Sequence, residues 1–124
     1  MVCAVRRMTN DTFAVLHPAW SPDGKSIAFT SLRDFNRAQI YQINLEDNSV
    51  QSLSNNTVRD AQPFWSPDGS QIAFVERVDG MGQLRIMRAD GSDIRPLAHP
   101  EVPSAWHPAW SPDGRTLAFF GYAP

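Results

Sequence analysis

Two histidines stand in identical surroundings, in His17-Pro18-Ala19-Trp20 and His107-Pro108-Ala109-Trp110. Midway between them the equivalent place is held by Gln62, ahead of Pro63-Phe64-Trp65. An imidazole can move a proton near neutral pH, ligate a metal or hydrogen-bond a ligand. If the fold brings His17, Gln62 and His107 together, they form a polar ring suited to a small ligand. The plainer reading is that a residue before proline is extended and polar. Histidines this far apart lack zinc-ligand spacing, so no metal is expected. Asp23, Asp68 and Asp113 recur 45 residues apart, and nothing in that spacing makes two of them an acid/base pair. Gly80-Met81-Gly82 is too short for a phosphate loop and no helix follows it. Asn10-Asp11-Thr12 and Asn55-Asn56-Thr57 fit the glycosylation pattern but read better as repeated turn residues. There is no Gly-x-Ser-x-Gly nucleophile elbow. No catalytic residue and no cofactor follow from these patterns, and the chain is expected not to be an enzyme.

The elements that must position these residues come from one repeat. Trp20-Ser21-Pro22-Asp23-Gly24 returns as Trp65-Ser66-Pro67-Asp68-Gly69 and as Trp110-Ser111-Pro112-Asp113-Gly114. Each copy runs into Ile-Ala-Phe or Leu-Ala-Phe, at Ile27, Ile72 and Leu117. Ser-Pro-Asp-Gly is a tight-turn sequence: proline presets its own φ, Asp suits the next place, and Gly tolerates the last. Apolar strands on either side make each copy a β-hairpin. Trp20, Pro22, Asp23 and Gly24, with their counterparts Trp65, Pro67, Asp68, Gly69, Trp110, Pro112, Asp113 and Gly114, therefore read as structural, the tryptophan as an anchor between repeats.

In chain order, Val5–Thr9 reads as a strand matching Val50–Ser54, followed by a loop from Asn10 to Leu16. His17–Trp20 and Ser26–Thr30 flank the first turn, Ser31–Arg37 is a polar connector, and Gln39–Asn44 is a further strand. The second unit repeats the plan with Pro63–Trp65, Gln71–Glu76, Gln83–Arg88, the hairpin dipeptide Asp90-Gly91 and Ile94–Leu97. The third has His107–Trp110 and Thr116–Phe120. Four short strands per 45 residues, with no helical periodicity, give an all-β fold of four-stranded antiparallel propeller blades. Residues 1–124 form a single segment of about three blades, with repeats over about 5–49, 50–94 and 95–124.

Bulk composition narrows the partners. Of 124 residues, 42% are hydrophobic, enough for a core. Eleven basic and 13 acidic residues give a net charge of −2, so no basic field favours nucleic acid. No apolar run spans a membrane, and Arg6 and Arg7 precede no apolar stretch of a signal peptide. Cys3 is the single cysteine, which rules out an internal disulfide without fixing a compartment.

Pro-x-Trp-Ser-Pro-Asp-Gly with Ile-Ala-Phe, then Ser31-Leu32-Arg33-Asp34 and Gln39-Ile40-Tyr41, resembles the TolB-type WD-like β-propeller repeat, from about Val5 to Phe120. The motif is specific for the blade and much less so for activity. Similar blades occur in the Tol–Pal system, in propeller domains of prolyl-oligopeptidase-like peptidases and tricorn protease, and fused to bacterial regulators. The resemblance implies a non-enzymatic scaffold that binds a protein partner. The alternatives are an accessory segment of such a peptidase and a propeller binding a small ligand or sugar. Compartment stays open: cytoplasmic in the absence of a signal peptide, periplasmic if the chain is a processed or truncated TolB-like protein.

In such a propeller the strand leading into each turn lies nearest the axis, so His17, Gln62 and His107 would line the channel mouth. Connectors between strands should gather on one face, where binding residues usually sit. Arg33, Asp34, Phe35, Arg59, Asp60, Arg77 and Trp106 are the candidate partner contacts there, since Arg and aromatic residues dominate binding energetics. The plainer reading of the charges is a solvated loop, and the resemblance implies that Arg33 and Asp34 are partly structural. Eleven expected strands make an open arc. Either the chain is part of a longer propeller, or two copies form a homodimeric six-bladed ring in which Val5–Thr9 completes the other copy's last blade. The ring would leave that blade one strand short.

Overall fold

The computed structural model describes residues 4–10, 12–34, 37–97 and 102–122. Its elements are ten strands: β1 (Val15–Trp20), β2 (Ser26–Asp34), β3 (Arg37–Asn44), β4 (Val50–Ser52), β5 (Arg59–Trp65), β6 (Gln71–Val78), β7 (Met81–Arg88), β8 (Arg95–Pro96), β9 (Ser104–Trp110) and β10 (Leu117–Tyr122). Strands β1–β4 form one four-stranded antiparallel sheet in chain order, and β5–β8 form a second. Strands β9 and β10 begin a third. The fold is thus all-β, two blades and the inner half of another. No helix among the described residues is long and apolar enough to cross a membrane.

The repeated turn behaves as its residues dictate. Ser21 Oγ donates to Asp23 Oδ1 at 2.6 Å, the Lys25 amide donates to the same oxygen at 2.9 Å, and the Ser26 amide donates to Ser21 Oγ at 3.0 Å. Ser66/Asp68 and Ser111/Asp113 reproduce the arrangement. Gly24 sits at φ 71°, in the left-handed region that only glycine enters freely. The serine hydroxyl first, and then the backbone amide, hold Asp23 and Asp113 below the ordinary carboxylate range and bring Asp68 down to about 2.

Trp65 shows the anchoring role. It packs with Ala28, Ile40 and Leu53 of the first blade and with Ile72, Phe74 and Met87 of its own. A second cluster joins blades two and three through Val75, Leu84 and Ala105, with Trp106, Leu117 and Phe119 against it. A third, Phe29, Tyr41 and Ile43, lies on the first blade's other side, where Met8 packs on it.

Three sequence expectations change. Residues 4–10 form no strand. An outer strand needs a third-strand neighbour, and no described residue supplies one there. The inner strands are longer than expected, starting at Val15, Arg59 and Ser104, because a bulge lets each run through its proline. Ser31–Arg37 is largely strand, with Asp34 and Arg37 as Cα partners.

Candidate functional site

Each inner strand bulges at the same place. Two residues oppose one: His17-Pro18 against Phe29, Gln62-Pro63 against Phe74, and His107-Pro108 against Phe119. The first residue of each pair is left-handed, at φ 51°, 58° and 53°. The extended backbone expected before proline is therefore absent, since an extra residue in an antiparallel pair must turn the chain locally. The lack of a proline N–H costs nothing at a bulge.

The bulges bring the three repeat positions together. The Gln62 amide donates to Thr30 Oγ1 at 3.2 Å, and His17 Nδ1 lies 3.2 Å from the same hydroxyl. The His107 amide donates to Gln62 Oε1 at 2.8 Å. Partial loss of solvent, and then the nearby His107, hold His17 below the ordinary histidine range. Thr30 was invisible to the repeat, because Val75 and Phe120 occupy its equivalent places. Among the described residues no three His, Cys, Asp or Glu side chains are placed to hold a metal.

The seven connector candidates divide. Arg33 lies over the Tyr41 ring at 4.5 Å and the Phe29 ring at 5.9 Å, and its Nε donates to Ser31 Oγ at 3.1 Å, so it covers the first blade's outer cluster. Asp34 ends β2. Phe35 lies outside the described residues. Arg59 and Arg77 are exposed and face each other as Cα partners on β5 and β6. Trp106 is half-buried, its Nε1 donating to Ser104 Oγ at 2.9 Å.

Asp60 is a correction, since it is fully buried and offers no carboxylate to a partner. Strand alternation decides this: Arg59 points to one side of the sheet, so Asp60 points to the other, into the junction with the first blade. There Asn56 Nδ2 donates to its Oδ2 at 2.6 Å, while Oδ1 has no hydrogen-bond partner among the described residues. Burial, only partly offset by the hydrogen bond from Asn56, pushes the carboxyl up to about 6. Glu76 is its cross-strand partner and holds Arg85 at 3.0 Å. This network was not legible, because Val15 and Ala105 stand at the equivalent repeat positions.

Successive antiparallel sheets, with the inner strands of neighbouring sheets side by side and a tryptophan anchor between the first two, define a β-propeller segment. The family profile of the TolB beta-propeller domain matches residues 3–123, and the chain belongs to that family. It is 30% identical to TolB from Agrobacterium tumefaciens, with a TM-score of 0.81 over 94% of this chain and 41% of that one. It is also 30% identical to TolB from Acinetobacter baumannii, with a TM-score of 0.77 over 92% and 28%. An oligogalacturonate lyase in complex with manganese shares the fold at 18% identity, with a TM-score of 0.72 over 93% and 37%. The chain thus spans less than half of each of these structures. No curated protein matched the sequence.

Proposed function

We propose that this chain is a non-enzymatic scaffold that binds a protein partner through the end of the arc bearing Arg59, Arg77 and Trp106. The observation that carries the reading is the state of the two arginines. Both are exposed on rigid strands, and among the described residues neither guanidinium has a hydrogen-bond or ion-pair partner. Side chains presented this way by a fixed scaffold are ready to meet another molecule. Membership of the TolB propeller family supports a binding role. The carboxylates argue in the same direction: Asp23, Asp68 and Asp113 are engaged in holding turns, and Asp60 is buried in a junction.

The test is affinity capture from cells of the encoding organism, using immobilised wild-type protein beside Arg59→Ala/Arg77→Ala. The expected result is a protein retained by the wild type and lost with the double variant. Retention of no protein, or equal retention by both, overturns the reading.

A further inference from the structure

Three positions line up across the second blade. Arg59 on β5 is the Cα partner of Arg77 on β6, and Arg77 is the Cα partner of Gly82 on β7. Directly opposed residues share one face of a sheet, about 5 Å apart. Gly82 has no side chain, and the Trp106 indole takes the space. A Cβ built on Gly82 would come within 2.6 Å of Trp106 Cε2 and 2.5 Å of the Ala105 carbonyl oxygen. The Gly82 amide and Trp106 Nε1 both donate to Ser104 Oγ, at 3.1 and 2.9 Å, which fixes the ring. The surface therefore carries a row of indole, guanidinium and guanidinium.

Two like charges directly opposed on a sheet repel each other. The adjoining turn carries Asp79, which pairs with neither arginine among the described residues. At the same end Arg37 Nη1 donates to the Asn56 carbonyl oxygen at 3.1 Å, placing a third guanidinium beside the connector that leads into Arg59. The opposite end is net acidic: Asp23, Asp68 and Asp113 stand in the repeated turns and Asp47 and Asp90 in the turns after β3 and β7, outnumbering Lys25, Arg88 and Arg115 there. An anionic partner is thus drawn to one end and repelled from the other.

We propose that Arg59, Arg77 and the Trp106 indole form a docking site for a carboxylate-rich segment of a partner protein. This deepens the scaffold reading and rests on it for the partner being a protein. Guanidinium groups present paired N–H donors that match a carboxylate, and the immobilised indole adds an apolar platform of the type that anchors interfaces. A polypeptide is favoured over nucleic acid because the chain as a whole carries −2, while nucleic-acid binding needs many phosphates neutralised at once.

The test is fluorescence anisotropy with labelled hexaglutamate, hexalysine and a short oligothymidylate, at low salt and at about 0.15 M. Hexaglutamate is expected to bind the wild-type protein, more weakly as salt rises. Arg59→Glu/Arg77→Glu should weaken it by about tenfold or more, Trp106→Phe by less, and Arg115→Glu at the acidic end should leave it unchanged. Thermal melts confirm that each variant folds, and Trp106→Phe keeps an aromatic ring where alanine would open a cavity. The proposal falls if hexaglutamate binds no better than hexalysine, if the double variant binds it as the wild type does, or if oligothymidylate binds more tightly through the same arginines. A captured partner that ignores both arginines, with no hexaglutamate binding, removes this site and leaves a scaffold. Hexaglutamate binding with no captured protein keeps the site and removes the scaffold reading.

Discussion

Asp60 makes stability depend on pH in a direction opposite to the turn aspartates. Its folded carboxyl titrates at about 6 against 3.8 when exposed, so the unfolded chain gives up the proton first. Its contribution to stability is full below about pH 4 and is lost as pH rises through about 6, on the order of 3 kcal/mol. Asp23, Asp68 and Asp113 are held low instead, so their contribution is present above 3.8 and lost as pH falls through their folded values. Asp60→Asn keeps an oxygen for Asn56 and removes the titration. Urea unfolding from pH 4 to 8 should show the variant gaining on the wild type as pH rises, with most of the gain between 4 and 6. His17 titrates identically in both proteins and cancels in the difference. Parallel curves would show that Asp60 is not held neutral. Gly82 offers a second test at this scale. Gly82→Ala forces a methyl group into the Ala105 carbonyl and the Trp106 ring and should cost about 1–3 kcal/mol in the same measurement. An unchanged midpoint would mean that the indole does not lie over Gly82.

Among the elements, the three repeat tryptophans occupy equivalent places with different surroundings. Trp65 is 8% exposed between two blades, and Trp20 is 63% exposed with no blade before it among the described residues. In dilute solution Trp65→Ala should therefore cost about 3–5 kcal/mol, and Trp20→Ala less than about 0.5. Equal costs in chemical denaturation would contradict the order of the blades. These positions also show what the sequence could reveal. The turn chemistry was legible because Ser, Pro, Asp and Gly each do a local job, and the hairpins followed from it. The inner strands begin earlier than the sequence pattern predicts, because a two-for-one bulge lets each continue through its proline. Among site residues, Arg59, Arg77 and Trp106 follow from their types and their places in the expected connectors. Their alignment needed the register of three strands and the vacancy at Gly82, which no local pattern carries. Asp60 was misjudged for the same reason: one residue of strand alternation separates a surface arginine from a buried carboxylate.

At the scale of the molecule, the arc repeats one contact, which stays open at either end among the described residues. The surface that the second blade presents to the first occurs again on the first blade's free side. There Trp20 and Phe13 are exposed, and Met8, Phe13, Pro18, Ile27 and Phe29 line an apolar hollow. At the other end Phe120 is exposed, and β10 pairs with β9 alone among the described residues, so its outer edge is open to another strand. Surfaces related this way make head-to-tail contacts, which close into a ring when the rotation allows. Further blades of a longer propeller or a second copy of the chain would both match these faces, and with a second copy two arcs of about three blades complete a circle. Light scattering on a size-exclusion column should then give a mass near twice 13.9 kDa at micromolar concentrations. Trp20→Glu, which places a charge on the contact while sparing the packed Trp65, should return it to the single-chain value. A single-chain mass for the wild type at every concentration would show that the Trp20 face does not recruit a second copy.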